Sequence, residues 1–285
     1  MVQTMPVKIE RFVFDCLVAG KEHDPLVLFL HGWPESSYMW KRLLLEFSEM
    51  GFYCVAPDLR GFSKNACPKG RKHYALNYLV QDVLDIADSF GKPKFHLVGH
   101  DWGAAIGWKL VHDYKDRIQS WTGISVPHLQ AFGKAIVLDP EQQKMSQYIR
   151  NFQWPFLPER RLRKDDFKIL RKLWKHADSE EFHYNLSIFK NPKQLSASIN
   201  YYRGNYKDLK VAAERPVLGN IDVPTLFIWG NKDLAIGRYA VDESHVYMKN
   251  DYDFIELDAG HWLIQTEYDH LKKAITEHIL KYKST

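Results

Sequence analysis

The chain has 285 residues, 45% of them hydrophobic, and a formal net charge of +4. Such a length and apolar content build one large domain or a domain carrying an insertion. Basic residues are spread among acids and no nucleic-acid motif is present, which argues against phosphate-backbone binding.

Three cysteines, Cys16, Cys54 and Cys67, are odd in number and lack metal-ligand spacing. Neither a disulfide framework nor a metal site is expected, and a reducing, cytoplasmic compartment fits. The opening stretch "MVQTMPVKIERFVFD" lacks the unbroken apolar run of a secretory signal. No segment approaches the roughly 18 apolar residues of a spanning helix, so a soluble protein is expected. The triplet Asn185-Leu186-Ser187 matches a glycosylation signal, which matters only in a secreted chain.

In chain order, "RFVFDCLVAG" (11–20) reads as antiparallel edge material. Short apolar runs follow at "VLFL" (27–30), "FYCVAP" (52–57), "FHLVG" (95–99), "TLFIWG" (225–230) and "DFIELD" (253–258), separated by helix-length segments. A mostly parallel sheet covered on both faces requires that pattern, so the fold class is α/β. From about Pro127 to Pro216 the spacing is helical, with prolines and aromatics but no strand run. The expected organisation is a core in two parts, 1–127 and 217–285, with a helical insertion over 128–216. Within it, Arg160 to Lys175 mixes lysines and arginines with Phe167, Leu170 and Trp174. That is a solvated helix with one buried stripe or, alternatively, a peripheral contact with an anionic membrane surface.

The stretch "LVGHDWGAAIGW" (97–108) frames Asp101 between Gly99 and Gly103. Serine hydrolases present their nucleophile on such a strand-to-helix turn, but here the turn carries a carboxylate. In an open parallel sheet, ligands bind outside the carboxyl ends of the strands. The polar residues directly after the strand-like runs include Trp33, Asp101, Asp233 and His261, in the chain order nucleophile, acid, histidine. A carboxylate attacking a carbon electrophile forms an alkyl ester that can be hydrolysed at its own carbonyl, whereas a serine would leave a stable ether. The aspartate therefore points to epoxide opening or halide displacement.

The segments "HGWPESSYMW", "GHDWG", "GNKD" and "AGHW" resemble the motifs of soluble epoxide hydrolases of the α/β-hydrolase superfamily, over nearly the whole chain. The resemblance implies Asp101 as nucleophile, His261 as base and Asp233 as its orienting acid. It also implies a cis Trp33–Pro34 bond and an oxyanion hole from the backbone N–H groups of Trp33 and Trp102. "SQYIRNFQWPF" (146–156) and "INYYRGN" (199–205) are similar to the two cap segments that carry ring-opening tyrosines, here Tyr148 and Tyr202. Tyr201 competes with Tyr202, since helix neighbours point about 100° apart. The substrate implied is a small apolar epoxide, lipid or aromatic, lodged among Trp33, Trp102, Phe152 and Trp154, with no metal or organic cofactor. "DLRGFSKN" departs from the Arg-Gly-Tyr-Gly-x-Ser of many relatives by lacking the second glycine. A haloalkane dehalogenase, which typically has an asparagine where Trp33 stands, and a non-catalytic lipid or hormone binder are the alternatives.

Overall fold

A computed structural model describes residues 1–283 apart from Arg11 and Ala213. Its described residues form one eight-stranded sheet: β1 (Gln3–Ile9), β2 (Phe12–Ala19), β3 (Leu26–Leu30), β4 (Tyr53–Pro57), β5 (Phe95–His100), β6 (Ile118–Ile124), β7 (Thr225–Gly230) and β8 (Tyr252–Leu257). The order is β1-β2-β4-β3-β5-β6-β7-β8. The β1–β2 hairpin is antiparallel and pairs antiparallel with β4 through Cys16 and Pro57, while β4 to β8 are parallel. Strands β3, β4, β5 and β7 are buried at every position, which explains their unbroken apolar runs. Strand β6 was not among the runs read from sequence, because "IQSWTGI" carries Gln119, Ser120 and Thr122. Ser120 and Thr122 are nevertheless buried, and the Ser120 hydroxyl meets His96 Nδ1 at 2.8 Å.

Helices cover both faces. On one, α1 (Lys41–Glu49) sets Leu43, Leu44 and Phe47 on Phe29 and Val98. On the other, α2 (Leu76–Ser89) and α3 (Trp102–Asp113) pack on Leu28, Leu30 and Leu97. In α2 the buried Leu79, Val80, Val83, Ile86 and Ala87 follow the three-and-four spacing of a helix stripe.

Between β6 and β7 the chain is helical: α4 (Leu129–Leu138), α5 (Pro140–Met145), α6 (Gln147–Asn151), α7 (Leu157–Leu173), α8 (Ser179–Lys190) and α9 (Pro192–Val211). Asp178 and Asn191 cap α8 and α9 by accepting N–H groups of the first turn, each cap contributing about 1 kcal/mol. The apolar side chains of this segment join those beneath α2 and α3 in a single cluster that includes Phe167, Leu170, Trp174 and Phe189. The helical segment is thus fused to the sheet layer below it.

The single helix expected over Arg160 to Lys175 is instead broken. Lys164 is extended, and Asp165, Asp166 and Phe167 all take positive φ inside α7. Aspartate tolerates that region better than most residues, and the break aims Phe167, Leu170 and Trp174 inward. Trp174 Nε1 then donates to the Pro34 carbonyl at 3.0 Å. The chain closes with α10 (Arg238–Asp242), α11 (Leu263–Thr266) and α12 (Tyr268–Lys281), the last burying Leu271, Ile275 and Ile279 beside α1. Among the described residues no helix is long and apolar enough to cross a membrane.

Candidate active site

Asp101 stands between β5 and α3 with φ 51° and ψ −116°, a conformation an L-residue holds only when its surroundings over-determine it. The two flanking glycines make the corner possible. A Cβ on Gly99 would lie 2.5 Å from the Gly103 carbonyl oxygen, and one on Gly103 would collide with that of Leu30. The turn lifts the Asp101 carboxyl above the sheet edge, next to the loop after β3.

There Trp33 donates its backbone N–H to Asp101 Oδ1 at 2.6 Å, and the Trp102 N–H also bonds the carboxyl. The Trp33–Pro34 bond is cis. Asp101 Oδ2 faces His261, with Nε2 at 3.7 Å. His261 Nδ1 donates to Asp233 Oδ2 at 2.8 Å, and Asp233 Oδ1 accepts the N–H groups of Ala235 at 2.7 Å and Ile236 at 3.2 Å. The three residues arrive from the ends of β5, β7 and β8.

Burial raises the Asp101 pKa, opposed by His261 and the two backbone N–H groups. For His261 burial works the other way, but Asp233 and then Asp101 outweigh it and lift the imidazole to about 9. Burial of Asp233 is likewise overcome, chiefly by His261 and then by its hydrogen bonds, which hold its carboxyl below the ordinary range.

Sequence reading missed three residues around this triad. Ser125, at the end of β6 with φ 71°, donates to Asp233 Oδ2 at 2.5 Å and lies 2.8 Å from His261 Nδ1. His100 donates Nε2–H to the His261 carbonyl at 2.9 Å, and burial followed by the neighbouring His261 depresses its pKa to about 3, so it is neutral. Glu35 accepts from Trp262 Nε1 at 2.8 Å and Asn185 Nδ2 at 2.9 Å, which ties the loop after β3 to α8. A signal was present for His100, at the end of β5, and for Glu35, in the loop after β3, but not for Ser125, which follows the strand the sequence did not show. Asn185 is buried in that tie, so the glycosylation triplet is not an exposed acceptor.

The tyrosines separate cleanly. Tyr201 turns away and donates its hydroxyl to the Arg60 carbonyl at 2.6 Å. Tyr202 packs edge-on against Trp33, Trp102, Tyr148 and Phe152. Burial raises the pKa of both Tyr148 and Tyr202, and the Asp101 charge adds to it. Two cavities meet at Asp101, Tyr148 and Tyr202. One of 340 Å³ runs past Trp102, Leu129 and Phe132; the other, of 570 Å³, runs past Trp33, Phe152 and Leu162 to Trp154. Phe152 is buried at the inner end, and Trp154 stands at the exposed outer end. Among the described residues no group of three or more metal-binding side chains occurs. The turn of "DLRGFSKN" closes without the second glycine: the Ser63 hydroxyl donates to the Asp58 carbonyl at 2.6 Å and Gly61 takes φ 88°.

The profile of the α/β hydrolase fold matches residues 25–268. Epoxide hydrolase 4 of Homo sapiens is 33% identical over 274 residues, covering 92% of this chain and 74% of that protein. AB hydrolase superfamily protein YfhM of Bacillus subtilis (strain 168) is 31% identical over 268 residues, covering 92% and 91%. Among solved structures, the Bacillus megaterium epoxide hydrolase in complex with an inhibitor superposes with a TM-score of 0.87 at 26% identity, covering 96% of this chain and 99% of that one. Matched in sequence and in fold over nearly its whole length, the chain belongs to the epoxide hydrolases of the α/β-hydrolase superfamily.

Proposed function

We propose that the protein converts apolar epoxides to vicinal diols through an alkyl ester on Asp101. The observation that carries this reading is the unequal environment of the two Asp101 oxygens. Oδ1 is held by the Trp33 N–H, while Oδ2 is left to face the cavity beside His261. Oδ2 is therefore the attacking atom and forms a bond to one epoxide carbon as that carbon's bond to the ring oxygen breaks. Tyr148 and Tyr202 hydrogen-bond the ring oxygen as it gains charge, and one of them transfers its proton to give the first hydroxyl. Raised pKa values keep both phenols protonated and ready to donate.

Esterification leaves Oδ1 as the ester carbonyl oxygen, already seated on the Trp33 N–H, with the Trp102 N–H at the same carboxyl. It also removes the Asp101 charge, one of the influences that raise the His261 pKa. The imidazole then gives up its proton more readily and becomes a competent base. His261, oriented by Asp233, takes a proton from water; the hydroxide adds to the ester carbon, and Oδ1 carries the oxyanion. Each donor of such a hole commonly contributes about 3 kcal/mol. The Cγ–Oδ2 bond then breaks, the alkoxide takes the proton from His261, the remaining proton of the added water passes from the new Asp101 carboxyl to the phenolate left by ring opening, and the diol leaves carrying Oδ2.

Halide displacement by the same aspartate is the weaker reading: Trp33 Nε1, which would have to face the halide, donates instead to Ser198 Oγ at 3.3 Å. The apolar walls of both cavities, Leu129, Phe132, Phe152 and Leu162 among them, favour a lipid or aromatic epoxide.

The test is a single turnover of a simple epoxide in heavy-oxygen water with enzyme in excess. Label in the Asp101 peptide and none in the first diol released is the expected result. Label confined to the diol would mean direct attack by water on the ring, and an epoxide held without turnover would mean a binding protein.

A further inference from the structure

Large apolar side chains exposed to water are unusual when they gather at one place, and here they gather at a cavity mouth. Trp154, Leu157 and Leu234 are 63%, 58% and 81% exposed, and all three line the outer end of the 570 Å³ cavity that leads to Asp101. Phe156, 83% exposed, stands between Trp154 and Leu157 in sequence and shares a shallow hollow with Arg160, Arg163 and Lys164.

The rim around them is cationic. From Arg160 to Lys175 the chain carries eight basic residues and two acidic ones. One acid is already engaged, since Asp166 pairs with Arg171 at 2.5 Å. Arg160, Arg163, Lys164, Lys168 and Lys172 are exposed, and among the described residues none of the five side chains is in a hydrogen bond or ion pair, although Glu159 shares the hollow of the first three and Asp165 that of the last two. A second groove, lined by Lys168, Lys172 and Lys232, adjoins the apolar mouth and shares Leu173, Leu234, His261 and Trp262 with it.

We propose that this rim docks on the surface of an anionic lipid bilayer. Trp154, Phe156 and Leu157 enter the headgroup boundary, where aromatic side chains are favoured. The basic residues of α7 lie among the anionic headgroups, each adding about a fivefold gain in partitioning. The cavity mouth then opens against hydrocarbon, and an apolar substrate reaches Asp101 without crossing water. That last consequence rests on the epoxide reading; the docking itself does not.

Co-sedimentation with phosphatidylcholine vesicles, with and without phosphatidylserine, measures the docking directly and needs no turnover. The test variant combines Arg160→Gln, Arg163→Gln, Lys164→Gln and Phe156→Asn. None of these lines the catalytic cavity, and asparagine tolerates the positive φ of Phe156. The protein is expected to sediment with serine-containing vesicles, to be released by salt, and to leave pure phosphatidylcholine largely unbound. The variant should lose partitioning by about a hundredfold, with unchanged thermal unfolding and unchanged turnover of a water-soluble epoxide. Absence of binding at low salt, or equal binding by the variant, would overturn the proposal. So would a salt-resistant dimer in gel filtration that the variant abolishes while no vesicle binding occurs, because the rim would then be an interface between two copies. Docking without turnover of any epoxide would leave the lipid surface standing and sink the catalytic reading.

Discussion

Tyr201 and Tyr202 are adjacent in sequence and both buried, yet their rings meet different surroundings. The Tyr201 hydroxyl bonds the Arg60 carbonyl at 2.6 Å, deep between Phe62 and Tyr74. Tyr201→Phe removes that donor and leaves a buried acceptor unmet, at a cost of about 1–3 kcal/mol. For a chain of this order each kcal/mol shifts Tm by about 2–4 °C, so unfolding should begin several degrees lower while ester formation keeps its rate. Tyr202→Phe keeps the ring packed on Trp33 and Trp102 and takes away one of two donors to the epoxide oxygen. Stability should change by less than about 1 kcal/mol. Ester formation should slow by about a hundredfold, the lower end of what a general acid supplies, because Tyr148 remains. Stopped-flow tryptophan fluorescence reads the alkylation step, since Trp33 and Trp102 flank Asp101, and thermal denaturation reads the fold. A Tyr201→Phe enzyme slower than Tyr202→Phe, or a Tyr202→Phe enzyme that melts early with full activity, would refute the assignment.

Two further outcomes follow from buried polar groups around the site. Ser125→Ala removes the hydroxyl that supports Asp233 and meets His261 Nδ1; hydrolysis of the ester should slow about tenfold, with its formation untouched, as measured by the decay of accumulated alkyl-enzyme. Glu35 and Glu181 form a buried carboxyl pair in which burial, and then the neighbouring charge, push Glu35 well above its ordinary value near 4.5. A folded-state pKa raised in this way gives stability that is complete below about 4.5 and is lost as pH rises through the folded value. Tm should therefore fall across that window, and Glu181→Gln, which removes one of the two charges, should flatten the dependence. A Tm that climbs over the same range in the parent protein would contradict the raised Glu35 pKa.

The apolar runs that become β3, β4, β5 and β7 were plain in the sequence because parallel strands are buried on both faces and leave no alternation to decode. Strand β6 was not, because Gln119, Ser120 and Thr122 interrupt its apolar run, and the partner that lets Ser120 be buried, His96, lies on the neighbouring strand. Asp101, Asp233 and His261 were legible as an ordered set because each follows a strand end, a relation local to the sequence. Which oxygen of Asp101 is left open to the cavity, which of Tyr201 and Tyr202 faces it, and the place of Ser125 beside the triad depended on packing between segments 68 to 141 residues apart. The break in α7 lay beyond sequence for the same reason. Helical spacing runs unbroken through Lys164 to Phe167, and the burial of Phe167 and Trp174 against the cap and the loop after β3 imposes a backbone that local propensity opposes.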